Sequence, residues 1–310
     1  MSALDLVVTA VDDSVPDVRS VTLARPDGGT LPSFTPGSHI VVQCGDVANA
    51  YSLTSDSVQP TSYQISVLKQ PDGSGGSVWI HGLTVGDAVS VLPPRSAFAP
   101  ILRARKHLLV AAGIGVTPMI SHLRSAKQWG RDVELLYVHK PGRGAHLDDI
   151  AELADNARLF TTRADFLAEL PDTLATQPFG THLYICGPTT FIDDVVAAAE
   201  AHGWPPSRIH FERFGIGALD PGEPFTVKLA DTGTTIAVDS GVSLLEALEA
   251  AGHDIPNLCR QGVCGECRLT VTSGEILHRD MYLTDADKAA GDAIMACVSR
   301  AACPELELKL

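Results

Sequence analysis

The chain has 310 residues, 45% of them hydrophobic, so it is long enough for two or three folded domains and too apolar for disorder. Its formal net charge of −14 argues against nucleic-acid binding, because contact with phosphates needs a basic surface. The amino terminus lacks the basic segment of a signal peptide, and no apolar run is long enough to span a bilayer. These features predict a cytoplasmic protein with no membrane partner.

Residues 1–102 are predicted to form a small β-barrel without a convincing helix. Turn clusters separate short runs rich in β-branched residues, namely LDLVVTAV, VRSVTLAR, HIVVQC, YQISVLK and DAVSVLPP. At a strand end, residues 49–55 (NAYSLTS) offer an aromatic ring and a hydroxyl that suit a flavin. The glycine–serine loop at residues 73–77 can cradle a phosphate with its amide groups. Taken alone, these two segments are better explained as an ordinary strand and a surface turn.

Residues 103–214 are predicted to form a parallel sheet, because buried strands alternate with helical patterns. The predicted strands are HLLV, VELLYVHK, ARLFTT, HLYICGP and RIHFERF. The predicted helices follow GIGVTP and cover LDDIAELADN and TTFIDDVVAAAEAHG.

Two motifs in this sheet point to a nucleotide. In AAGIGVTP (111–118), Gly113 and Gly115 permit a pyrophosphate to approach the backbone at a helix N-terminus, although Pro118 replaces the last glycine of the dinucleotide fingerprint. CGP (186–188) ends a later strand, where ligands of such sheets bind. A structural glycine turn and a buried thiol at Cys186 explain the motifs separately. Together they favour a nicotinamide pocket.

Residues 215–224 are rich in Gly and Pro and predict a linker. Beyond it, FTVKLA and TIAVD predict a hairpin, and SLLEALEAAG predicts a short amphipathic helix that Ser243 caps and Gly252 ends. A strand (CRLTVTSGEI), a helix near TDADKAAG and a final strand (ELELKL) complete a compact domain at 225–310.

The last domain contains most of the cysteines. Cys259, Cys264, Cys267 and Cys297 have the spacing of a plant-type [2Fe–2S] cluster. Gly262 and Gly265 let such a loop bend around the sulfurs.

Structural zinc and buried thiols are the alternatives. Zinc usually takes two CxxC-like pairs, and only Cys264 and Cys267 have that spacing. Disulfides need an oxidising compartment, which nothing else supports. Cys303 lies outside the spacing as a bystander, and Cys44 is expected in a strand or core.

The order of these segments resembles the phthalate dioxygenase reductase family over essentially the whole chain. The matching segments are PGSHI, YSL, GGS, LPPRSAF, GIGVTP, CGP, HFERFG and CRQGVCGEC…C. The resemblance implies a multidomain α/β and β chain. Its parts are a flavin-binding FR-type β-barrel (1–102), a Rossmann-like NAD-binding domain with a parallel sheet (103–214), a linker (215–224) and a β-grasp ferredoxin domain (225–310).

The resemblance also implies site residues. The expected flavin contacts are Tyr51 and Ser52 at the ring, Val67 and Lys69 along the ribityl chain, and Gly75, Gly76 and Ser77 near the phosphate. The expected nucleotide contacts are Gly113, Ile114, Gly115, Thr117 and Pro118, with Cys186, Gly187 and Pro188 near the reactive end. The residues expected nearest to hydride transfer are Ser52, Cys186, Phe211 and Phe214.

One position departs from the family pattern. The flavin motif Arg-x-Tyr-Ser has Asn49 in place of the arginine that reaches the flavin phosphate, so a charge-assisted contact is lost. Loop amides, Lys69 or Arg95 are the candidates for meeting that charge instead.

The resemblance implies an electron-transfer flavoprotein, expected as a monomer, that passes electrons from NADH through FMN and a [2Fe–2S] cluster to a terminal oxygenase, expected to be Rieske-type. From residue 225 onward, 13 acidic residues outnumber 7 basic ones, which suits an acidic docking surface. NADPH is an alternative, since Lys140 and Arg143 follow the second strand of the sheet. A haem or other non-Rieske partner is a second functional hypothesis. A non-enzymatic electron carrier with a degenerate flavin site is a third, which Asn49 alone supports.

Overall fold

The computed structural model describes residues 3–310 except 46, 72, 74, 97, 215–221, 258–261, 263, 264 and 281. The chain folds as two compact units, Met1–Phe214 and Gly215–Leu310. The first unit contains a β-barrel and a parallel sheet, and the second contains a smaller mixed sheet. In the described part of the chain, no helix has the length and apolarity needed to cross a membrane.

The barrel is antiparallel. Its strands are β1 (Leu4–Val15), β2 (Val18–Ala24), β3 (Ser38–Cys44), β4 (Val47–Ser52), β5 (Ser62–Leu68), β6 (Ala88–Val91) and the short β7 (Arg95–Ser96). They pair in the order β4-β3-β6-β1-β2-β5, with β7 beside β3. A bridge between Leu53 and Ile65 and the hydrogen bond from Thr54 N to Gln64 O (2.9 Å) join the two ends of this order. Closure removes the exposed sheet edges.

The prediction of a barrel without a helix is wrong at one place. Helix α1 (Gly76–Ile80) follows the glycine–serine loop and buries Ile80 against the barrel core. Its N-cap, Gly75, has a φ of 96°, a left-handed conformation that favours glycine. One and a half turns are too short to leave a helical period in the sequence.

The rest of the first unit is a five-stranded parallel sheet. Its strands are β8 (Lys106–Ala112), β9 (Val133–Val138), β10 (Ala157–Phe160), β11 (Thr181–Gly187) and β12 (Ile209–Arg213), in the order β10-β9-β8-β11-β12. Its helices are α2 (Thr117–Trp129), α3 (Leu147–Leu153), α4 (Arg163–Ala175) and α5 (Thr189–Ala201). The strand order reverses between β8 and β11, which makes the carboxyl ends of these strands the switch point of the sheet.

Helix α4 was missed by the sequence interpretation because Pro171 lies inside it. Proline usually interrupts a helix by removing an N–H group and crowding the preceding turn. Here Phe166 and Leu170 are buried in the core beneath the sheet, and Thr162 caps the helix by accepting a hydrogen bond from Asp165 N. Tertiary burial therefore maintains the helix across the proline.

A partly buried chain of polar side chains connects the barrel to the parallel sheet. His146 Nε2 lies 2.9 Å from Ser66 Oγ in β5, and its Nδ1 lies 2.7 Å from the Asp149 carboxylate in α3. Arg124 donates to the same carboxylate (2.7 Å) and to the Thr54 carbonyl (2.8 Å). The two parts therefore share hydrogen bonds across their interface and form one unit.

Aromatic and histidine side chains hold the connection from barrel to sheet. The Tyr184 hydroxyl accepts from Ile101 N at 2.7 Å. His107 Nε2 and His122 Nε2 lie 3.0 Å and 2.8 Å from the carbonyls of Ile101 and Phe98. His107, His122 and His210 all pack against the Tyr184 ring.

The second unit is a β-grasp domain. Its strands are β13 (Phe225–Leu229), β14 (Thr235–Val238), β15 (Arg268–Ser273), β16 (Ile276–Leu277), β17 (Ala293–Met295), β18 (Arg300–Ala301) and β19 (Glu305–Lys309), and its helices are α6 (Leu244–Ala250) and α7 (Asp285–Ala290). The main sheet has the order β14-β13-β19-β15-β17. Ser243 caps α6 in a capping box with Glu246, and Gly252 follows its end with a φ of 89°.

The exact domain limits at residues 102, 214 and 224 stay predictions. The boundary at residue 102 falls between the last barrel strand and the first strand of the parallel sheet, inside one compact unit. The linker at 215–224 starts where the two units divide, and most of it lies outside the described residues.

Candidate functional site

Two of the four predicted cluster ligands are brought together by strand pairing. Cys267 immediately precedes β15, and Cys297 lies just beyond β17. Arg268 pairs with Met295 across these strands, and Ala296 N donates to the Cys267 carbonyl at 3.1 Å. Both thiols are buried. Cys259 and Cys264, the other two predicted ligands, lie outside the described residues.

The glycines of the cysteine loop have the conformations that the cluster hypothesis requires. Gly262 and Gly265 have φ values of 72° and 83°, in the left-handed region. A Cβ on Gly262 would lie 2.5 Å from Cγ2 of Val298, and one on Gly265 would lie 2.3 Å from Cζ of Tyr282. Two buried thiols, a third and fourth at the right spacing and a tightly covered glycine loop fit a [2Fe–2S] cluster.

The remaining thiols lie apart from this loop. Cys44 is buried in the barrel, and burial raises its pKa to about 11. Cys186 is fully buried in β11 of the parallel sheet. Cys303 is half-buried and accepts a hydrogen bond from Glu275 N at 3.2 Å, a structural contact.

The glycine turn and the CGP motif meet at the switch point of the parallel sheet. Gly113, in the turn after β8, has a φ of 55° and open space around its Cα. A Cβ on Gly115 would lie 2.4 Å from the Cys186 carbonyl oxygen and 2.7 Å from Gly187 N. Only glycine fits there. Helices α2 and α5 begin directly after these two turns, at Thr117 and Thr189, so their N-terminal amides end at one crevice.

The other predicted nucleotide residues build the walls of this turn. Ile114 is half-buried, whereas Thr117 and Pro118 are buried at the start of α2. The Thr117 hydroxyl donates to the Ile114 carbonyl at 3.0 Å, which fixes the turn. Pro188 is exposed and is the N-cap of α5.

Cys186 contributes its backbone to this crevice, while its side chain belongs to the core. The thiol is fully buried, and burial together with the neighbouring Glu212 raises its pKa well above the usual value. Glu212 pairs in register with Cys186 and is itself only 4% exposed. The sequence interpretation gave Glu212 no role, although a charged residue in the strand RIHFERF was the available signal.

Phe211 and Phe214 differ in their surroundings. Phe211 is half-buried on β12, with the Arg213 guanidinium 5.2 Å from its ring centroid. Arg213 also pairs with Asp193 in α5 at 2.6 Å, so it ties β12 to the helix after the CGP motif. Phe214 is 37% exposed at the end of the first unit.

The predicted flavin residues of β4 and α1 lie together. A Cβ on Gly76 would lie 2.2 Å from Oδ1 of Asn49 and 3.2 Å from the Tyr51 hydroxyl. Burial raises the pKa of Tyr51, with the Cys44 thiol beside it. Asn49 is half-buried, with its amide oxygen directed at the backbone of α1. The residue that replaces the family arginine therefore packs against the glycine loop.

Residues at the end of β5 and just after it contact helix α1, beside the predicted flavin residues. His81, at the end of α1, places its Nε2 2.9 Å from the carbonyl of the buried Val67. Ser77 Oγ accepts from Gln70 N at 2.9 Å. Lys69 is exposed, and its backbone N–H donates to Asp17 O at 2.8 Å.

Ser52 belongs to a row across three strands. His39 pairs with Ser52 on one side and with Arg95 on the other, so the three side chains lie on one face. Ser52 and His39 are buried and Arg95 is half-buried. Two basic side chains, Lys69 and Arg95, were considered for the flavin phosphate. Arg95 is the one that lies in the same row as the predicted flavin residue Ser52.

One of the two basic residues considered for binding the 2′-phosphate of NADPH already has an acidic partner. Arg143 forms an ion pair with Asp17 of the barrel. Lys140 is exposed beside it.

Barrel and nucleotide turn approach each other at one place. Leu68, at the end of β5, and Ile114, in the turn after β8, pack against the same buried core as Val116 and Cys186. Leu68 lies between the predicted flavin residues Val67 and Lys69, so the end of β5 and the turn after β8 share this core.

Similarities to known proteins agree with both units. Residues 88–209 match the family described as dimethylamine monooxygenase subunit DmmA-like, N-terminal domain, and residues 227–302 match the 2Fe-2S iron-sulfur cluster binding domain. The whole chain superimposes on phthalate dioxygenase reductase, titled a modular structure for electron transfer from pyridine nucleotides to [2Fe-2S]. The TM-score is 0.81 at 34% identity, with 100% of this chain and 98% of that one covered.

Two sequence relatives cover almost the full length. The heme-dependent oxidative N-demethylase beta subunit of Ectopseudomonas mendocina is 38% identical, covering 96% of each chain. The carnitine monooxygenase reductase subunit of Acinetobacter baumannii is 36% identical, covering 98% of this chain and 97% of the relative.

Fold, site and relatives together define an oxidoreductase, the electron-transfer component of an oxygenase system, with a flavin domain, a nucleotide domain and a [2Fe–2S] domain. The chain belongs to the phthalate dioxygenase reductase family.

Proposed function

We propose that this chain draws electrons from NADH and delivers them, through FMN and a [2Fe–2S] cluster, to an oxygenase that demethylates a small N-methylated amine. The observation that carries the electron-transfer part is the contact of Gly115 with Cys186 and Gly187 at the switch point, next to the barrel residue Leu68. When bound, the cofactors supply the hydride acceptor and the one-electron carrier.

The chain's own residues position these groups. Gly113 leaves the turn open to a pyrophosphate, and the amides at the start of α2 supply positive potential there. Gly187 and Pro188 form the opposite wall. Leu68 and Ile114, which pack on the same core, would exclude water from between the two bound cofactors.

FMN is favoured over FAD by the barrel. The connection from β4 to β5, residues 53–61, is short and fully described, and it contains no added segment to hold an adenosine. Arg95, in the row with His39 and Ser52, is our candidate for an interaction with the anionic flavin.

NADH is favoured over NADPH because Arg143 is already paired with Asp17. A 2′-phosphate would have to compete for that guanidinium. Comparing turnover with NADH and NADPH tests this assignment, and a preference for NADPH would contradict it.

One matched family and two of the relatives support the proposed substrate class of the oxygenase. The description of the matched family names dimethylamine monooxygenase. One relative is a subunit of an oxidative N-demethylase, and another is the reductase subunit of a carnitine monooxygenase. Carnitine has a trimethylammonium group. A Rieske-type partner is supported by the likeness to phthalate dioxygenase reductase, and a haem partner by the likeness to the N-demethylase subunit. We place the system in the cytoplasm, with this component as a monomer.

The test has two stages. Purified protein should show flavin and cluster absorption that NADH bleaches, and released flavin should co-elute with FMN. A colourless protein, or cluster bands that NADH leaves unchanged, would contradict the proposal. In the second stage, the protein is combined with the oxygenase encoded beside its gene. NADH-dependent formaldehyde release from dimethylamine supports the substrate class, and its absence with methylated amines overturns it. The visible spectrum of the active oxygenase distinguishes haem from Rieske iron.

A further inference from the structure

Asp280, in the second unit, lies beside Gly262, one of the two described glycines of the cysteine loop. A Cβ on Gly262 would lie 3.1 Å from Cα and 3.2 Å from Cβ of Asp280, and 2.5 Å from Cγ2 of Val298. Asp280 therefore lies next to Gly262 on one side and is hydrogen-bonded to Ser299, just after Cys297, on the other. The sequence interpretation gave it no role.

The carboxylate of Asp280 is completely enclosed. Its side chain has no exposed surface. Oδ2 accepts from Leu283 N at 2.9 Å, and Oδ1 accepts from Ser299 Oγ at 3.0 Å and lies 3.3 Å from His278 Nδ1. Ser299 is fully buried, and its residue number is only two beyond that of Cys297.

The hydrogen bonds preserve the negative charge in this buried place. Burial alone would raise the pKa of Asp280, but the donors Leu283 N, Ser299 and His278 and the charge of Lys288 together hold it below the usual value. Lys288 donates to the backbone carbonyl of Asp280 at 2.8 Å, so its charge lies near the carboxylate without a direct salt bridge.

We propose that Asp280 sets the reduction potential of the [2Fe–2S] cluster by placing a fixed negative charge beside Gly262 of the cysteine loop and Ser299, two residues beyond Cys297. The proposal rests on the proposed function only in assuming that the cluster is present. Reduction adds an electron to the cluster, and a nearby buried anion opposes that addition. Asp280 therefore lowers the potential and makes the cluster a stronger donor to its partner.

The central test is the isosteric variant Asp280→Asn in the full-length protein. The midpoint potential is measured by a mediated dithionite titration, followed by the electron paramagnetic resonance signal of the reduced cluster. At a fixed solution potential near the midpoint, we expect the ratio of reduced to oxidised cluster to rise about tenfold, equivalent to about 59 mV for one electron. The titration needs neither NADH nor a partner, so its failure is distinguishable from failure of the proposed function.

The matched control is Asp285→Asn, which removes an exposed carboxylate five positions further along, in the first turn of α7. In Asp285→Asn the ratio of reduced to oxidised cluster should stay close to that of the wild-type protein, because water and salt screen an exposed charge. Equal shifts in Asp280→Asn and Asp285→Asn would overturn the proposal, and so would a wild-type ratio in Asp280→Asn.

A second variant covers the case in which Asp280→Asn loses its cluster. Lys288→Gln removes the positive charge near Asp280 and leaves the carboxylate in place, so the ratio of reduced to oxidised cluster should fall. An unchanged or raised ratio in Lys288→Gln would contradict the electrostatic role.

Discussion

The backbone of Gly115, in the turn after β8, lies directly against that of Cys186, at the end of β11. A methyl group on Gly115 would fall 2.4 Å from the Cys186 carbonyl oxygen. The crevice at the switch point therefore depends on two turns that are far apart in sequence.

Replacing Gly115 by alanine should push these turns apart and displace the nicotinamide from the flavin. We expect kcat/KM for NADH to fall about a hundredfold, because a displacement near 1 Å has that order of effect. The measurement is NADH-dependent ferricyanide reduction. Gly29→Ala is the control, since its Cβ would meet only the surface side chains of Asp27 and Arg25. Equal activity in both variants would show that the turn does not hold the nucleotide.

Gly76→Ala should reduce flavin content, because the new Cβ would lie 2.2 Å from Oδ1 of Asn49. The flavin-to-protein absorbance ratio reports the loss. The double variant Gly76→Ala with Asn49→Ala removes the clashing oxygen and should recover part of the flavin. If Asn49 instead binds the phosphate itself, Asn49→Ala alone should lose as much flavin as the double variant.

Cys297→Ser should separate the two electron-transfer steps. It removes a predicted cluster ligand in the second unit and leaves the flavin and nucleotide residues of the first unit intact. NADH-dependent ferricyanide reduction should persist, whereas cytochrome c reduction should fall to background. Cys303→Ser, at a half-buried thiol outside the ligand spacing, should retain both activities. Loss of both activities in Cys297→Ser would refute this division.

Acid should weaken the first unit through its buried histidines. Burial lowers the pKa of His122 to about 3 and that of His210 to about 4. Below about pH 6.5 these histidines become protonated in the unfolded chain but stay neutral in the folded chain. Their contribution to the free energy of unfolding is therefore complete above this pH and is lost as the pH falls toward the folded pKa values.

Between pH 7 and pH 5, His122 alone should cost about 2 kcal/mol of unfolding free energy. Urea denaturation of the holoprotein at the two pH values measures this change. His122→Gln keeps a donor for the Phe98 carbonyl without the titration, so its stability should depend less on pH. An identical pH dependence in the variant would exclude His122 as the cause.

Local patterns were sufficient for much of this architecture. The spacing from Cys259 to Cys297 indicated the cluster, and the alternation of strands and helices indicated the parallel sheet. The capping box at Ser243 was visible as a serine before an amphipathic run. The spacing and the alternation are periodic or positional patterns, and the cap is a local one, so the linear sequence contains all three.

Features created by tertiary contact were not predictable in this way. Pro171 argued against a helix that burial of Phe166 and Leu170 maintains. Glu212 and Asp280 gain their surroundings from Cys186 and from Ser299, whose contacts arise only when separate strands pair. Asn49 was identifiable as a departure from the family pattern, but its packing against Gly76 required the folded barrel.

The second unit forms its described hydrophobic core from its own residues, between Phe225 and Leu308. A coding segment that begins near residue 215 therefore specifies a body with a hydrophobic core of its own. Recombination can move such a segment to the other end of a gene, or join it directly to an oxygenase, and preserve its fold. The order of the two units along this chain can therefore change by rearrangement of the gene while the residues of each hydrophobic core stay the same.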